Sequence, residues 1–174
     1  MKKKKFNSAK NSLFFVLLSL VIVSTIFTGV AMAASTASVT ATVTVQSISV
    51  TATDGTVAFG TLAANSSTGT NGSDTQTATN NGNITENLNI KGQNSANWTL
   101  AATAGSDQYV LQFCTATCTT PPTNYTALTT SYQTLATSVA ASGTQTFDLY
   151  ITTPNPSTVY TQQSVDVTVQ AVAP

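Results

Sequence analysis

The sequence predicts an all-β fold in which two antiparallel sheets pack face to face. Along most of the chain apolar and polar residues alternate, and this two-residue period is that of a strand with one buried face. Threonine provides 33 of the 141 residues in 34–174, and its β-branched side chain suits a pleated, half-exposed surface. Turn-forming Asn, Asp and Gly residues separate the runs. This pattern is typical of an antiparallel β-sandwich of the jelly-roll or Ig-like type.

Each alternating run predicts one strand, and about eight to ten strands are expected. No convincing helical period interrupts them after residue 33. The predicted strands lie at residues 39–45, 48–52, 57–62, 75–79, 84–90, 98–102, 109–113, 147–151 and 165–171.

Two polar stretches between these strands are predicted to be loops. Residues 65–74 are small and polar, and residues 114–124 contain Pro121 and Pro122, which block pairing in a β-ladder. Residues 125–135 show no clear period, so no strand is assigned to them.

The N-terminus has the three-part pattern of a secretory signal peptide. Lysines occupy residues 2–5, and an uncharged, mostly apolar run follows at residues 13–30. Ala31 and Ala33 are small residues at the positions that precede a cleavage site, which is predicted between Ala33 and Ala34.

Cleavage at this site removes residues 1–33 as a signal peptide and leaves residues 34–174 as a single secreted domain, extracellular or at the cell surface. The alternative is that the apolar run is retained as a membrane anchor, since its length is marginal for a spanning helix. After cleavage, no membrane partner is expected.

The charge of the predicted mature chain argues against nucleic acid and anionic membranes as partners. Five of the six lysines lie in residues 1–33. The predicted mature chain therefore has one lysine, Lys91, and six acidic residues, which is a net charge of −5. The chain contains no Arg and no His. Nucleic acids and anionic membranes are bound through many basic side chains, which this chain lacks.

Phe59, Trp98 and Leu100 are predicted to be structural core positions. Trp98 is the only tryptophan of the chain, and it shares its face of the predicted strand with Leu100. A large aromatic residue at such a position fills the space between two sheets. The alternative is an exposed tryptophan that stacks on a sugar ring.

Three short motifs, in order, resemble those of the WxL-domain family of bacterial cell-surface proteins. They are Val57-Ala58-Phe59-Gly60-Thr61-Leu62, then Trp98-Thr99-Leu100, then a last strand that ends at Ala173-Pro174. Val167-Thr168-Val169 stands where this family has a second W-x-L. The resemblance implies a secreted β-sandwich held non-covalently at the cell envelope, with Trp98 and Leu100 as structural positions.

Cys114 and Cys118 are predicted to form a disulfide. In a secreted chain, an isolated pair of cysteines is usually oxidised, and a tight turn brings residues at this spacing within bonding reach. A zinc site is the alternative, but zinc requires further Cys or His ligands. The sequence therefore predicts no metal and no cofactor.

The distribution of possible catalytic residues predicts that the protein is not an enzyme. Without histidine, no Ser-His or Cys-His pair can form. The six carboxylates are scattered and lie mostly in or beside predicted turns, and no calcium-loop spacing links them.

The sequence therefore favours a secreted, non-catalytic structural or adhesive protein of the cell surface, associated non-covalently with the envelope. Residues 35–46 alternate, lack charge and follow the cleavage site directly, so they either complete their own sheet or add to the sheet of another copy. The second case gives a self-polymerising filament subunit. A further alternative is a carbohydrate-binding module that binds wall or surface glycan through exposed tyrosines. The candidate tyrosines are Tyr125, Tyr132, Tyr150 and Tyr160.

Overall fold

A computed structural model describes residues 36–174, which form ten β-strands and no helix. The chain divides into two units, Met1–Val43 and Thr44–Pro174, and all ten strands lie in the second. The strands are β1 (Val50–Thr53), β2 (Ser67–Gly69), β3 (Gln76–Asn80), β4 (Glu86–Lys91), β5 (Thr99–Leu100), β6 (Gln108–Cys114), β7 (Thr126–Ala127), β8 (Gln133–Val139), β9 (Thr144–Thr152) and β10 (Thr168–Val172).

The strands form two sheets, as the all-β prediction requires. The larger sheet has seven strands in the order β1-β3-β9-β6-β5, with β2 also paired to β9 and β7 also paired to β6. The smaller sheet has three strands in the order β10-β4-β8. Every strand pair is antiparallel except β5 with β6.

Both sheets contribute alternate side chains to one apolar core. The smaller sheet supplies Leu88 and Ile90 from β4, and both are fully buried. The larger sheet supplies Leu111 from β6 and Leu149 from β9, which are also buried. Because successive residues of a strand point to opposite faces, each strand gives the core every second residue. The other buried apolar residues of the cluster are Ala78, Tyr109, Phe113, Leu128, Leu135, Val139 and Phe147.

Most predicted strands are present, but two runs with the right period form no strand. Residues 36–49 lie outside any strand, so the strand predicted at 39–45 is wrong for this structure. The run at 57–62 is also not a strand, although Val57 and Phe59 pack against the core. Alternation indicates which face a segment buries, whereas a strand also needs a hydrogen-bonded neighbour, which these runs lack among the described residues.

Three other predictions need smaller corrections. The predicted loop at 65–74 contains β2, a short strand that pairs with β9. The strand predicted at 98–102 is limited to Thr99–Leu100, and the unassigned stretch 125–135 contains β7 and the start of β8. The short strands β2, β5 and β7 are added along β9 and β6, so their neighbours create them and their own sequences give little signal.

The predicted signal peptide, and the cleavage site between Ala33 and Ala34, lie outside the described residues. Within residues 36–174 no helix has the length and apolar character needed to cross a membrane.

Candidate functional site

Trp98 is half-buried and immediately precedes β5. Its ring packs against Tyr109 at a centroid distance of 6.3 Å, and the two rings are tilted by 43°. The indole Nε1 donates a hydrogen bond to Ser157 Oγ at 3.2 Å. Phe59, Trp98 and Leu100 all pack against the core cluster while remaining partly exposed. The three residues thus border the apolar core.

Asp107 fixes the loop that contains Ser157, the hydrogen-bond partner of the Trp98 indole. Its Oδ1 accepts hydrogen bonds from the backbone N–H of Thr158 at 2.7 Å and from Ser157 Oγ at 3.3 Å, and the Thr158 hydroxyl donates to its Oδ2. The hydrogen bonds from Thr158 hold the pKa of Asp107 below its usual value of 3.8. The Asp107 carboxylate therefore has a structural role in this loop.

Tyr109 is buried beneath Trp98, and this placement predicts a sensitivity of the fold to alkaline pH. Burial raises the pKa of Tyr109 from 10.0 to about 12. The pKa of Tyr109 is higher in the folded than in the unfolded chain. The stability contributed by the protonated hydroxyl group is therefore complete below pH 10.0 and is lost as the pH rises to about 12. Tyr109→Phe is therefore expected to flatten the fall of the unfolding free energy over this interval.

Chemical denaturation at a series of alkaline pH values measures this effect. Tyr160→Phe is the matched control, because the Tyr160 side chain is 88% exposed. An equally steep alkaline fall in the Tyr109→Phe variant would show that another group causes the sensitivity.

One of the two cysteines, Cys118, lines an open cleft. The sulfurs of Cys114 and Cys118 are 2.15 Å apart, which is disulfide-bonding distance. The adjoining cleft has a volume of about 380 Å³ and is open to solvent. Its lining residues are Asn71, Gly72, Thr115, Ala116, Thr117, Cys118, Thr119, Thr146 and Asp148.

Asp148 is the one carboxylate among those lining residues, and its hydrogen bonds tie strands together. It is buried, and its Oδ1 accepts hydrogen bonds from Thr75 Oγ1 at 2.6 Å and Thr70 Oγ1 at 3.2 Å. Thr70 Oγ1 also accepts a hydrogen bond from the backbone N–H of Leu149 at 2.9 Å. Hydrolysis by paired carboxylates requires a second acid at the site, and the cleft lining supplies none. We therefore assign this arrangement to the stability of β9 and its neighbours.

The four candidate tyrosines differ in packing and in exposure. Tyr125 and Tyr150 pack on each other with ring centroids 5.6 Å apart, and Tyr125 is buried. The Lys91 Nζ lies 4.7 Å from the ring centroid of Tyr132, and Tyr132 is 40% exposed. Tyr160 alone among the four is largely exposed, at 88%.

A second polar site, which the sequence analysis missed, holds residues 45–49 against the turn between β3 and β4. Asn83 accepts a hydrogen bond from the backbone N–H of Ser47 at 2.8 Å, and its Nδ2 donates to the carbonyl of Val45 at 2.8 Å. Glu86 Oε1 accepts a hydrogen bond from the backbone N–H of Ser49 at 2.9 Å. Glu86 is fully buried, and its Oε2 has no partner among residues 36–174.

The first residue of this anchored stretch, Val45, and the residues before it expose a row of valines. The exposed fractions of Val39, Val43 and Val45 are 93%, 91% and 81%. Single exposed apolar residues are ordinary, but an alternating row of them on an uncharged segment is typical of a strand that has no sheet to join. We call residues 36–45 the N-terminal segment.

No protein-family model, no curated protein and no solved structure matches this chain. The resemblance to WxL domains therefore remains a prediction from the motifs. The function has to be argued from the geometry of the described residues.

Proposed function

We propose that this protein is a secreted, non-catalytic structural protein of the cell surface, and that it polymerises by donating its N-terminal segment as a strand to another copy. The observation that carries the proposal is the exposure of Val39, Val43 and Val45 on a segment that forms no strand within residues 36–174. Strand addition would bury these valines and pair the backbone of the segment. Of the two roles considered for this segment, the exposure favours donation to a second copy.

The body of the subunit is, in this proposal, an antiparallel β-sandwich of the jelly-roll or Ig-like type. Its two sheets and single core support that class. The signal peptide proposed at residues 1–33 takes the chain out of the cell, and cleavage before Ala34 would leave the N-terminal segment close to a free end. The WxL-like motifs support retention at the cell envelope by non-covalent contacts.

A non-catalytic role is consistent with the hydrogen bonds of the buried and loop-forming acids. Asp107 fixes a loop, Asp148 joins strands, and Glu86 anchors Ser49. Each of these carboxylates has a structural partner. Carbohydrate binding through tyrosines is the weaker alternative, because Tyr125 and Tyr150 pack on each other rather than forming an open platform.

The test is a triple substitution, Val39→Ser, Val43→Ser and Val45→Ser, in the full-length sequence. We expect the secreted protein to stay folded, because these side chains are 81–93% exposed, but to lose its capacity to sediment as fibres. Ultracentrifugation and negative-stain microscopy measure assembly, and circular dichroism measures the fold.

The matched control places serine on the other face of the same segment, at Thr40, Thr42 and Thr44. This control is expected to assemble like the parent chain. Equal assembly of the valine variant, or a parent chain that stays monomeric at all concentrations, would overturn the proposal. Retention of a monomeric parent on purified peptidoglycan would instead support a wall-binding module.

A further inference from the structure

The segment that precedes β10 has the side-chain pattern of a strand but pairs with no strand in the described part of the chain. Val165 and Val167 are half-buried and pack against the core, whereas Ser164 and Asp166 are exposed. Within residues 36–174, no backbone partner is recorded for Ser164, Val165 or Asp166. We call residues 161–167 the edge segment.

Side chains, rather than a β-ladder, hold the edge segment in place. Gln163 Oε1 accepts hydrogen bonds from Ser95 Oγ at 2.8 Å and from the backbone N–H of Asn97 at 3.2 Å. Val165 and Val167 pack against the core and hold the C-terminal half of the segment there. The carbonyls of Thr161 and Gln162 accept hydrogen bonds from Gln163 Nε2, whereas the backbone groups of residues 164–166 have no backbone partner within residues 36–174. A fixed edge with such free backbone groups is a template for an incoming strand.

A second unpaired stretch belongs to the same part of the fold. Val57 and Phe59 are half-buried against the core, while Ala58 between them is exposed. No backbone hydrogen bond is recorded for these three residues within 36–174. They follow β1, just as the edge segment precedes β10.

The strand registers place these two stretches at the same end of the molecule. Strand β1 begins at Val50 opposite Asn80, and β10 ends at Val172 opposite Asn87. Asn80 Nδ2 donates to the carbonyl of Ile84 at 2.8 Å, so the end of β3 lies next to the start of β4. The contacting strands β1 and β10 therefore run in opposite directions, and the residues after β1 lie at the end from which β10 starts.

The remaining edge of the smaller sheet is less suited to strand addition. Strand β8 pairs with β4 through two register shifts, and its Ser138 has a positive φ of 56°. Bulges and left-handed residues twist an edge away from a flat partner. The edge strands β2, β5 and β7 are only two or three residues long.

We propose that the edge segment is the acceptor for the N-terminal segment of a second copy, an inference that rests on the proposed function. At about 3.3 Å per residue, seven residues of edge segment span roughly 23 Å, which residues 36–45 exceed when extended. The valines of the incoming strand face the core beside Val165 and Val167, and its threonines face solvent beside Ser164 and Asp166. The partner is thus another molecule of the same chain.

Mixing two variants, each with one added cysteine, tests this contact between copies. One variant carries Thr42→Cys, and the other carries Asp166→Cys together with a tag that increases its mass. Both native cysteines are paired, so neither competes for the new thiols. After co-assembly and mild oxidation, we expect a disulfide-linked heterodimer on a non-reducing gel. Ser164→Cys, on the same face, covers a register shifted by two residues.

The matched control is Thr134→Cys, an exposed position on the competing edge strand β8. We expect the heterodimer yield with Asp166→Cys or Ser164→Cys to exceed that with Thr134→Cys at least tenfold. If the chains sediment but Thr42→Cys links to Thr134→Cys, or to none of the three cysteine variants, the edge segment is not the acceptor. Assembly by strand donation would still stand. A mixture in which no variant and no parent chain sediments would overturn both.

Discussion

Replacing Asn80 by alanine is expected to destabilise the fold by about 3 kcal/mol or more. Asn80 is completely buried at the end of β3. Its Nδ2 donates to the carbonyls of Ile84 at 2.8 Å and Val139 at 2.9 Å, and its Oδ1 accepts from the backbone N–H of Gly82 at 2.8 Å. A buried polar group that loses its partner costs about 1–3 kcal/mol, and the substitution removes the partner of three such groups at once.

Asn81→Ala is the matched control for this prediction. Asn81 is exposed, and its side chain makes one hydrogen bond, from Nδ2 to Thr51 Oγ1 at 2.8 Å. We expect a loss below about 1 kcal/mol, the usual net contribution of one hydrogen bond. Asn80→Asp is a useful third variant, because it keeps the acceptor for Gly82 but loses both donated bonds. Urea denaturation measures all three, and a similar midpoint for Asn80→Ala and Asn81→Ala would contradict the prediction.

Replacing Leu88 by alanine is expected to cost about 2–5 kcal/mol of unfolding free energy, as for other fully buried leucines. Leu88 is completely buried in β4, the central strand of the smaller sheet. Because β4 has neighbours on both edges and the larger sheet across the core, the surroundings have little freedom to close over a cavity. Thermal and urea denaturation measure the loss.

Leu62→Ala is the control, since it makes the same chemical change at a half-buried position outside the strands. Its expected cost is lower, because part of the side chain is already in contact with water. Equal losses for the two variants would show that the core is less tightly packed around Leu88 than the burial indicates. Both variants keep the valines of the N-terminal segment, so their assembly also reports whether polymerisation depends on the stability of the subunit.

The alternation of apolar and polar residues is enough to predict the all-β class and most of the buried faces. The alternation at 84–90, 109–113 and 147–151 corresponds to β4, β6 and β9, whose inward residues form the core. Side-chain period is a local property, so one strand shows which face it buries without knowledge of its neighbour. The spacing of Cys114 and Cys118 likewise suffices to indicate a disulfide, because the loop between them is short.

The folded structure shows which alternating segments pair with a neighbouring strand. Residues 39–45, 57–62 and 165–167 have the same period as the paired strands, yet none is in a β-ladder within the described residues. Pairing depends on backbone groups brought together from distant parts of the chain, and a two-residue period carries no information about that partner. For the same reason, the sequence does not reveal the role of Asn80, because its hydrogen-bond partner Val139 lies far along the chain.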